Sequence, residues 1–203
     1  MIFCDIGNTS YHFLEGENAF KVLAEEFDPA SVKEEVYYIS VNPTADKKLS
    51  ALSNWHDMRS CIDWDSYYET MGVDRIMACE AIEEGLVIDA GSAITVDLVN
   101  EGRFEGGFIY PGLAAMRESY ANISPRLDYS LNFELDLDKM PKNSRDAISY
   151  GVLRTLYSEV TRHNKMIYLT GGDAEKLAKI FPGAVVDEQL LFKGMKKMME
   201  MRC

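Results

Sequence analysis

An aspartate, one variable residue and a glycine occur twice in the chain, each time directly after an apolar run typical of a buried strand. The first copy is Asp5–Gly7, which follows Ile2–Cys4, and the second is Asp89–Gly91, which follows Leu86–Ile88. A strand that ends in a carboxylate and a glycine turn can hold a hydrated cation, and the backbone N–H groups beside it can meet phosphate oxygens. Asp and Gly also dominate ordinary β-turns, so one copy alone would indicate little. Two matching copies favour a site that clamps a metal–nucleotide from both sides.

Two other segments place polar groups at the start of a predicted helix. Gly72–Arg75 sets a carboxylate beside a guanidinium where a helix N-terminus presents free N–H groups. Asp74 could accept a proton from a substrate hydroxyl while Arg75 binds an anionic group of that substrate. Alternatively, Asp74 only caps the helix and Arg75 is a surface charge. Thr170–Ala174 is a strand–glycine–helix junction, whose glycines would let a flat ring or a phosphate approach the backbone.

The apolar pattern predicts two α/β halves, each opening with a hairpin around an Asp-x-Gly turn. The first hairpin spans Met1–Cys4 and Tyr11–Leu14, and the same plan restarts at Leu86. Gly85 is expected to end a helix that begins at Asp74. The predicted boundary therefore divides the chain into halves 1–85 and 86–203.

The second half contains one segment that the pattern leaves open. The stretch from Asp128 to Asn143 alternates acidic and apolar residues, which is compatible with a loop or with an edge strand. A long helix is expected to follow from Ser144 to His163, because its apolar residues recur at helical spacing.

Composition argues against several classes of protein. The 203 residues carry 33 acidic and 21 basic side chains, a net charge of −12, so no nucleic-acid partner is expected. No apolar stretch approaches the roughly 20 residues that span a bilayer, and the N-terminus has no basic leader pattern, which favours a cytoplasmic protein with no membrane partner. No Cys/His spacing is typical of zinc, and the P-loop and Gly-x-Gly-x-x-Gly fingerprints are absent. Phosphoryl transfer with a carboxylate-held metal is compatible with the sequence.

Taken in order, five motifs resemble those of the type III pantothenate kinases, and they run through nearly the whole chain. The resemblance implies an α/β fold of two ribonuclease-H-like (actin-like ATPase) halves, with mixed sheets flanked by helices and a nucleotide cleft between the halves. It also implies the ATP-dependent phosphorylation of pantothenate to 4'-phosphopantothenate, the first step of coenzyme A biosynthesis. The motifs are Asp5–Thr9, Gly72–Arg75, Asp89–Thr95, Gly107–Gly112 and Thr170–Gly172.

For the acceptor substrate, the resemblance makes Asp74 the general base for the primary hydroxyl of pantothenate. The expected substrate-binding residues are Gly72, Val73, Asp74 and Arg75, together with Ser144, which stands where relatives have a threonine. A tyrosine upstream of this motif contacts substrate in relatives. Tyr68 or Tyr67 could serve here, and the spacing does not choose between them.

For the nucleotide and its cations, the two turns predict cation ligands at Asp5 and Asp89, and the resemblance implies which cations they hold and the full set of ATP-binding residues. Asp5 is expected to hold Mg²⁺ through water, and Asp89 a monovalent cation, potassium or ammonium. Ser92 stands where relatives have an ATP-contacting threonine. The expected ATP-binding residues are Asp5, Ile6, Gly7, Asn8, Thr9, Ser10, Tyr11, His12, Ser92, Gly171 and Gly172.

The resemblance implies a homodimer, in which Tyr120 and Tyr157 could face the interface or lie in a core. Two other functions stay open on the sequence alone. One is a sugar or acyl kinase on the same fold, because fold does not determine substrate. The other is an ATP-binding accessory protein without catalysis. The presence of Asp5, Asp74 and Asp89 together favours an enzyme, since a protein that only binds ATP has no need of Asp74.

Overall fold

The computed structural model describes residues 1–202, and Cys203 lies outside the described residues. Contacts group the chain into two compact units, of which the first combines Met1–Ile82 with the segment that starts at Gln189 and the second is Glu83–Glu188. The predicted halves, 1–85 and 86–203, assign the last helix differently, because in the structure this helix packs with the first unit. No helix within residues 1–202 is long and apolar enough to cross a bilayer.

Each unit opens with three consecutive strands, after which strands and helices are interspersed. The strands are β1 (Ile2–Ile6), β2 (Ser10–Glu15), β3 (Asn18–Leu23), β4 (Val36–Ser40), β5 (Trp55–Asp57), β6 (Gly85–Ala90), β7 (Ala93–Asn100), β8 (Arg103–Pro111), β9 (Ile167–Thr170) and β10 (Val185–Val186). The α-helices are α1 (Pro43–Leu49), α2 (Val73–Glu80), α3 (Leu113–Ile123), α4 (Ser144–Thr161), α5 (Ala174–Ala178) and α6 (Leu190–Arg202). Short 3₁₀ turns lie at Pro29–Ser31, Met58–Cys61, Trp64–Ser66 and Pro125–Leu127.

The first unit is built on a mixed sheet in the order β3–β2–β1–β4–β5. β2 pairs antiparallel with β1 and β3, whereas β4 runs parallel to β1 and β5. Alternate residues of β1 and β2, among them Cys4 and Phe13, enter a buried cluster that includes Trp55. On α6, Gly194 allows a close approach to α2, because a Cβ there would overlap the carbonyl oxygen of Met77.

The second unit repeats this plan strand for strand, in the order β8–β7–β6–β9–β10. β7 is antiparallel to β6 and β8, and β9 is parallel to β6 and β10. Its core joins residues of β6 and β7 to the buried stripe of α4, including Leu153 and Leu156, and to Phe181. Tyr120 and Tyr157 are partly buried against this core. The prediction of two mixed sheets flanked by helices is confirmed.

One local expectation differs from the structure, and one open alternative is decided. Gly85 begins β6 instead of ending a helix, and α2 already stops at Glu80. Its φ of 144° suits only glycine, and a Cβ would lie 2.8 Å from the carbonyl oxygen of Met166. The stretch from Asp128 to Asn143 contains no strand and is a loop. The motif Gly107–Gly112 lies mostly within the long edge strand β8.

Candidate active site

The first Asp-x-Gly turn joins β1 to β2. Asp5 is the fourth residue of β1 and pairs with His12 on β2 and Ile39 on β4. The N–H of Gly7 donates to the carbonyl oxygen of Ser10 at 3.0 Å, which closes the turn. Asn8 and Thr9 are exposed at its tip. The tip therefore offers small polar side chains and backbone N–H groups to an anion.

Two of the residues that flank the tip have side chains in the core of the first unit. Ile6 and Tyr11 are buried, and the Tyr11 ring packs against Phe27 with centroids 4.8 Å apart. Only their backbone atoms could reach a phosphate, because both side chains belong to the core of the first unit.

His12 packs edge-on against Phe192 of α6, with ring centroids 4.8 Å apart. Burial, and to a smaller extent the charge of Lys21, lowers the pKa of His12 from 6.5 to about 4. The imidazole is therefore neutral at neutral pH, so it would meet ATP as a neutral hydrogen-bonding group rather than as a cation.

The second Asp-x-Gly turn joins β6 to β7. Asp89 pairs with Thr95 on β7 and with Thr170 on β9, so a hydroxyl residue lies in register on each side of the carboxylate. The N–H of Gly91 donates to the carbonyl oxygen of Ala93 at 2.9 Å. The Thr95 hydroxyl oxygen is buried and has no hydrogen-bond partner within residues 1–202. The sequence places Thr95 at the end of the second motif, and only the register shows that it lies opposite Asp89.

Two glycines press against this second turn. Gly171 has a φ of 87°, and a Cβ there would overlap Asp89 Oδ1 and lie 2.7 Å from the carbonyl oxygen of Ala90. Gly112 donates its N–H to the carbonyl oxygen of Ser92 at 3.2 Å, and a Cβ at this position would overlap that oxygen. The structure thus gathers Asp89, Ser92 and Gly171 around one turn, and glycine is required where the backbones meet.

Gly172 differs from its neighbour. It is exposed, and a Cβ there would have no atom within 4 Å. Asp173 follows it and lines a cavity of about 470 Å³ with residues of α3 and of the following loop. The other lining residues are Leu113, Ala114, Arg117, Ser130, Leu131, Phe133 and Lys176. Sequence reasoning missed this cavity, since its walls come from segments far apart in the chain.

The substrate motif lies at the start of α2, where Gly72 is the N-cap and Asp74 the second helical residue. Asp74 Oδ1 accepts a hydrogen bond of 2.8 Å from the backbone N–H of Arg75. A Cβ at Gly72 would overlap this same carboxylate oxygen, so glycine leaves the space that the carboxylate occupies.

Arg75 is 5% exposed, which makes the alternative of a surface charge wrong. Its Nη1 donates to the Tyr68 hydroxyl, and the guanidinium carbon lies 5.7 Å from the centre of the Tyr68 ring. Tyr68 itself is 44% exposed. By contrast, the Tyr67 hydroxyl donates to Glu80 Oε1 at 2.9 Å, at the far end of α2. Of the two tyrosines, Tyr68 is thus the one that contacts Arg75 of the substrate motif.

Ser144 is exposed in the first turn of α4. Asn143 caps this helix by accepting from the N–H of Asp146 at 2.9 Å, and its side-chain amide donates back to Asp146 at 2.7 Å. The Asn132 amide also donates to Asp146 at 2.9 Å, and these bonds, that from Asn132 first, lower the pKa of Asp146. Within residues 1–202, no hydrogen bond joins Ser144 to Asp89 or to its neighbours.

The part of the chain that the structure describes offers few side-chain ligands to a cation at any one place. No group of three or more His, Cys, Asp or Glu side chains that could hold a metal occurs within residues 1–202. A cation at either aspartate would therefore complete its coordination with water, hydroxyl, backbone or ligand oxygens, as hard cations do.

Comparison with known proteins identifies the family. The family model for type III pantothenate kinase matches residues 14–165. A relative from Sulfurimonas denitrificans named type III pantothenate kinase is 60% identical over 200 residues, which cover 98% of each chain. A crystal structure from Campylobacter jejuni, of a protein assigned provisionally as a Baf family transcriptional activator, is 38% identical with a TM-score of 0.87 and 98% coverage of both chains.

More distant structures share only the fold. The ROK hexokinase of Thermus thermophilus is 13% identical, with a TM-score of 0.51 and coverage of 100% of this chain and 99% of its own. This likeness agrees with the actin-like ATPase fold that the two matching sheets display. The family match over more than half of the chain goes further than the fold. The chain belongs to the type III pantothenate kinase family, and it is a kinase that phosphorylates pantothenate in coenzyme A biosynthesis.

Proposed function

We propose that Asp74 is the general base of this kinase and accepts the proton of the primary hydroxyl of pantothenate. The observation that carries the proposal is how the Asp74 carboxylate is held at the start of α2. Oδ1 is held by the N–H of Arg75, and Oδ2 forms no hydrogen bond within residues 1–202. One oxygen thus fixes the orientation of the group while the other is available to the substrate hydroxyl, as general base catalysis requires.

Arg75 and Tyr68 would bind the acceptor. Pantothenate carries a carboxylate, and a guanidinium presents its donors in a planar fork that matches a carboxylate. Burial of Arg75 strengthens such a pair, because less water competes for the charge. The Tyr68 hydroxyl and ring orient the guanidinium, which favours Tyr68 over Tyr67 as the substrate-contacting tyrosine.

ATP would be bound by the turn from Asp5 to His12 and by the second turn with its glycines. The N–H of Gly7 is already used within the turn, so Asn8, Thr9 and Ser10 are the phosphate-facing donors. In the second unit, Ser92 offers its hydroxyl and Gly172 an open backbone surface. The cavity beside Asp173 provides an apolar wall, Leu131 with Phe133, against which an adenosine could lie.

Mg²⁺ fits the first turn. A magnesium ion keeps several waters and is bound by one or two carboxylates together with substrate phosphates, so the single carboxylate of Asp5 is a suitable outer ligand. When bound with ATP, the ion would neutralise charge on the phosphates. The protein's own part is to hold Asp5 at the end of β1, between its partners on β2 and β4.

A monovalent cation, potassium or ammonium, fits the second turn. The oxygen ligands of the cation would be the Asp89 carboxylate and the Thr95 hydroxyl. The Thr95 hydroxyl oxygen is buried without a hydrogen-bond partner within residues 1–202. An unpaired buried hydroxyl costs free energy, and a cation would satisfy it. Gly171 is packed on Asp89 and restricts how far the carboxylate can turn.

Positioning and charge neutralisation are expected to outweigh proton abstraction. The transferred phosphoryl group passes through a loose transition state, so that in-line alignment of the hydroxyl oxygen with the γ-phosphorus supplies most of the rate. In this scheme Arg75 and Tyr68 align the acceptor, Asp74 takes the proton, and Asn8 to Ser10 hold the donor phosphates.

The test is pantothenate phosphorylation by the wild type and by Asp74→Asn, each assayed in potassium and in sodium. We expect potassium to activate the wild type and Asp74→Asn to lower kcat roughly 10²- to 10⁴-fold, with the KM for ATP nearly unchanged. Asp65→Asn is the matched control, because Asp65 is exposed and its replacement removes the same charge from a neighbouring segment. Retained turnover in Asp74→Asn would refute the general base, and equal rates in the two salts would refute the cation at Asp89.

We also propose that the protein is a cytoplasmic homodimer, as the family resemblance implies. Ile109 on β8 and Ile123 on α3 are 63% and 73% exposed, and large exposed apolar side chains favour a subunit contact. Tyr120 and Tyr157 contribute to the core of the second unit and are less suited to such a contact. A cytoplasmic setting supplies ATP, and the net charge of −12 gives no support to nucleic-acid binding.

A further inference from the structure

Asn42 connects the first Asp-x-Gly turn to the helix beside it. It follows β4 and is the N-cap of α1, where its Oδ1 accepts from the N–H groups of Thr44 and Ala45 at 3.0 and 3.2 Å. Its Nδ2 donates to the carbonyl oxygen of Gly7 at 3.3 Å, across 35 positions of sequence. One side chain thus satisfies both the helix end and the phosphate-facing turn.

The orientation of this amide follows from its partners. Both groups on one side of it are N–H donors, which require the oxygen, and the Gly7 carbonyl on the other side requires the nitrogen. The backbone around Asn42 is also held, because its N–H donates to the Ser40 hydroxyl at 3.0 Å. The N–H of Val41 donates to the carbonyl oxygen of Ile6 at 3.1 Å.

The second unit has a similar backbone bond, donated one residue further along, but a different side chain. There the N–H of Asp173 donates to the carbonyl oxygen of Ala90 at 2.9 Å, and Ala90 occupies the place in its turn that Ile6 occupies in the first. The Asp173 carboxylate pairs with Lys176 instead of reaching across to the turn. The side-chain bond from Asn42 is therefore particular to the turn that bears Asp5.

We propose that Asn42 is a positioning residue for ATP, which acts by holding the Gly7 carbonyl and so the N–H groups at the tip of the turn. The inference rests on the proposed role of the Asp5–His12 turn in binding phosphates. Gly7 to Ser10 carry no bulky side chain that could fix the tip, and Asn8 and Thr9 are exposed. Two backbone bonds also hold the turn, one from the Gly7 N–H to the Ser10 carbonyl oxygen and one from the Ala24 N–H to the Thr9 carbonyl oxygen at 2.9 Å, and the Asn42 bond adds a hold on the Gly7 carbonyl. Without the Asn42 bond, this part of the ordering of the tip would come at the expense of ATP binding.

The test separates the two bonds of the amide by substitution. Asn42→Ser keeps a side-chain oxygen that can cap α1 but is too short to reach Gly7, whereas Asn42→Ala removes both bonds. We expect Asn42→Ser to weaken ATP binding roughly 2- to 10-fold, the range for one neutral hydrogen bond. The KM for pantothenate and the unfolding midpoint should stay close to those of the wild type. Asn42→Ala should weaken ATP binding equally and lower the unfolding midpoint as well.

A matched control changes α1 without touching the turn. Lys48 is exposed in α1, and Lys48→Gly lowers helix stability by a similar amount to the loss of a cap. This variant should lower the unfolding midpoint and leave the affinity for ATP unchanged. Unchanged ATP affinity in Asn42→Ser, or an equal loss of affinity in Lys48→Gly, would overturn the proposal.

The affinity is measured by titrating the protein with ATP and Mg²⁺, without pantothenate, alongside the KM values. A general base other than Asp74 would leave this titration unaffected, so failure of that assignment and failure of the Asn42 role are distinguishable. Thr9→Asp would place a carboxylate at the exposed tip, beside the proposed phosphate site, and should weaken ATP binding. If Thr9→Asp left ATP affinity unchanged while Asn42→Ser lowered it, the turn itself would be misassigned and the inference would fall with it.

Discussion

Replacement of Gly171 by alanine offers a sharp test of how the second turn is built. Gly171 has a φ of 87°, and the new methyl group would overlap Asp89 Oδ1 and lie 2.7 Å from the Ala90 carbonyl carbon and oxygen. The backbone atoms of Ala90 belong to β6 and cannot move independently of the sheet. Two costs therefore add: an unfavourable φ and a steric overlap.

The magnitude follows from these two costs. A left-handed conformation costs an L-residue about 1–2 kcal/mol. An overlap in a packed interior typically costs about 1–3 kcal/mol more. For a chain of this size, each kcal/mol corresponds to roughly 2–4 °C in the unfolding midpoint. We therefore expect Gly171→Ala to lower the midpoint by about 4–20 °C.

Gly183 provides the matched control. Its φ is 85°, almost the same as that of Gly171, but a Cβ at Gly183 would have no atom within 4 Å. Gly183→Ala should therefore show the φ cost alone, a fall of about 2–8 °C. Thermal unfolding followed by circular dichroism would measure both variants. If Gly171→Ala unfolds no earlier than Gly183→Ala, the close packing of Gly171 on Asp89 is refuted.

Two further predictions concern the first unit. Tyr68→Phe removes the hydroxyl that accepts from Arg75 and should raise the KM for pantothenate roughly 2- to 10-fold. Tyr67→Phe should leave this KM unchanged, because the Tyr67 hydroxyl bonds to Glu80 instead. A KM raised by Tyr67→Phe and not by Tyr68→Phe in steady-state kinetics would contradict the assignment. The pKa of His12 is lowered from 6.5 to about 4, so between these values the unfolded chain binds more protons than the folded one. Stability is thus retained above pH 6.5 and declines as the pH falls towards 4. In pH-dependent unfolding, His12→Gln should flatten this decline, and an unchanged slope would exclude His12 as its source.

Local sequence patterns were sufficient to predict the fold class, because both hairpin turns can be recognised from the sequence. Asp5–Gly7 and Asp89–Gly91 each end an apolar strand, and the strands that follow pair as hairpins around them. The same reasoning was wrong for Gly85, which begins β6 instead of ending a helix. A glycine that ends a helix and a glycine that is needed for close contact between strands look alike in the sequence.

The candidate site was predictable where residues are adjacent in sequence and not where register or tertiary contact creates it. Gly72–Arg75 is one continuous motif, so its position at the head of α2 followed from helix-start rules. Thr95 and Asn42 gain their significance only from pairing with Asp89 and from contact with Gly7. Similarly, the burial of Arg75 depends on tertiary packing, which composition does not reveal.

The place of α6 has a consequence for the order in which the chain can fold during synthesis. The first unit needs residues from both ends of the chain, whereas the second unit is one uninterrupted segment, Glu83–Glu188. During synthesis, the second unit is complete before α6 has been made. Until α6 is made, Met77 of α2 lacks the helix that packs on it through Gly194. Although domains usually fold from the N-terminus first, the first unit must here wait for α6, which is translated after the whole of the second unit. A nascent chain halted before Gln189 would thus hold a folded second unit beside an unfinished first one.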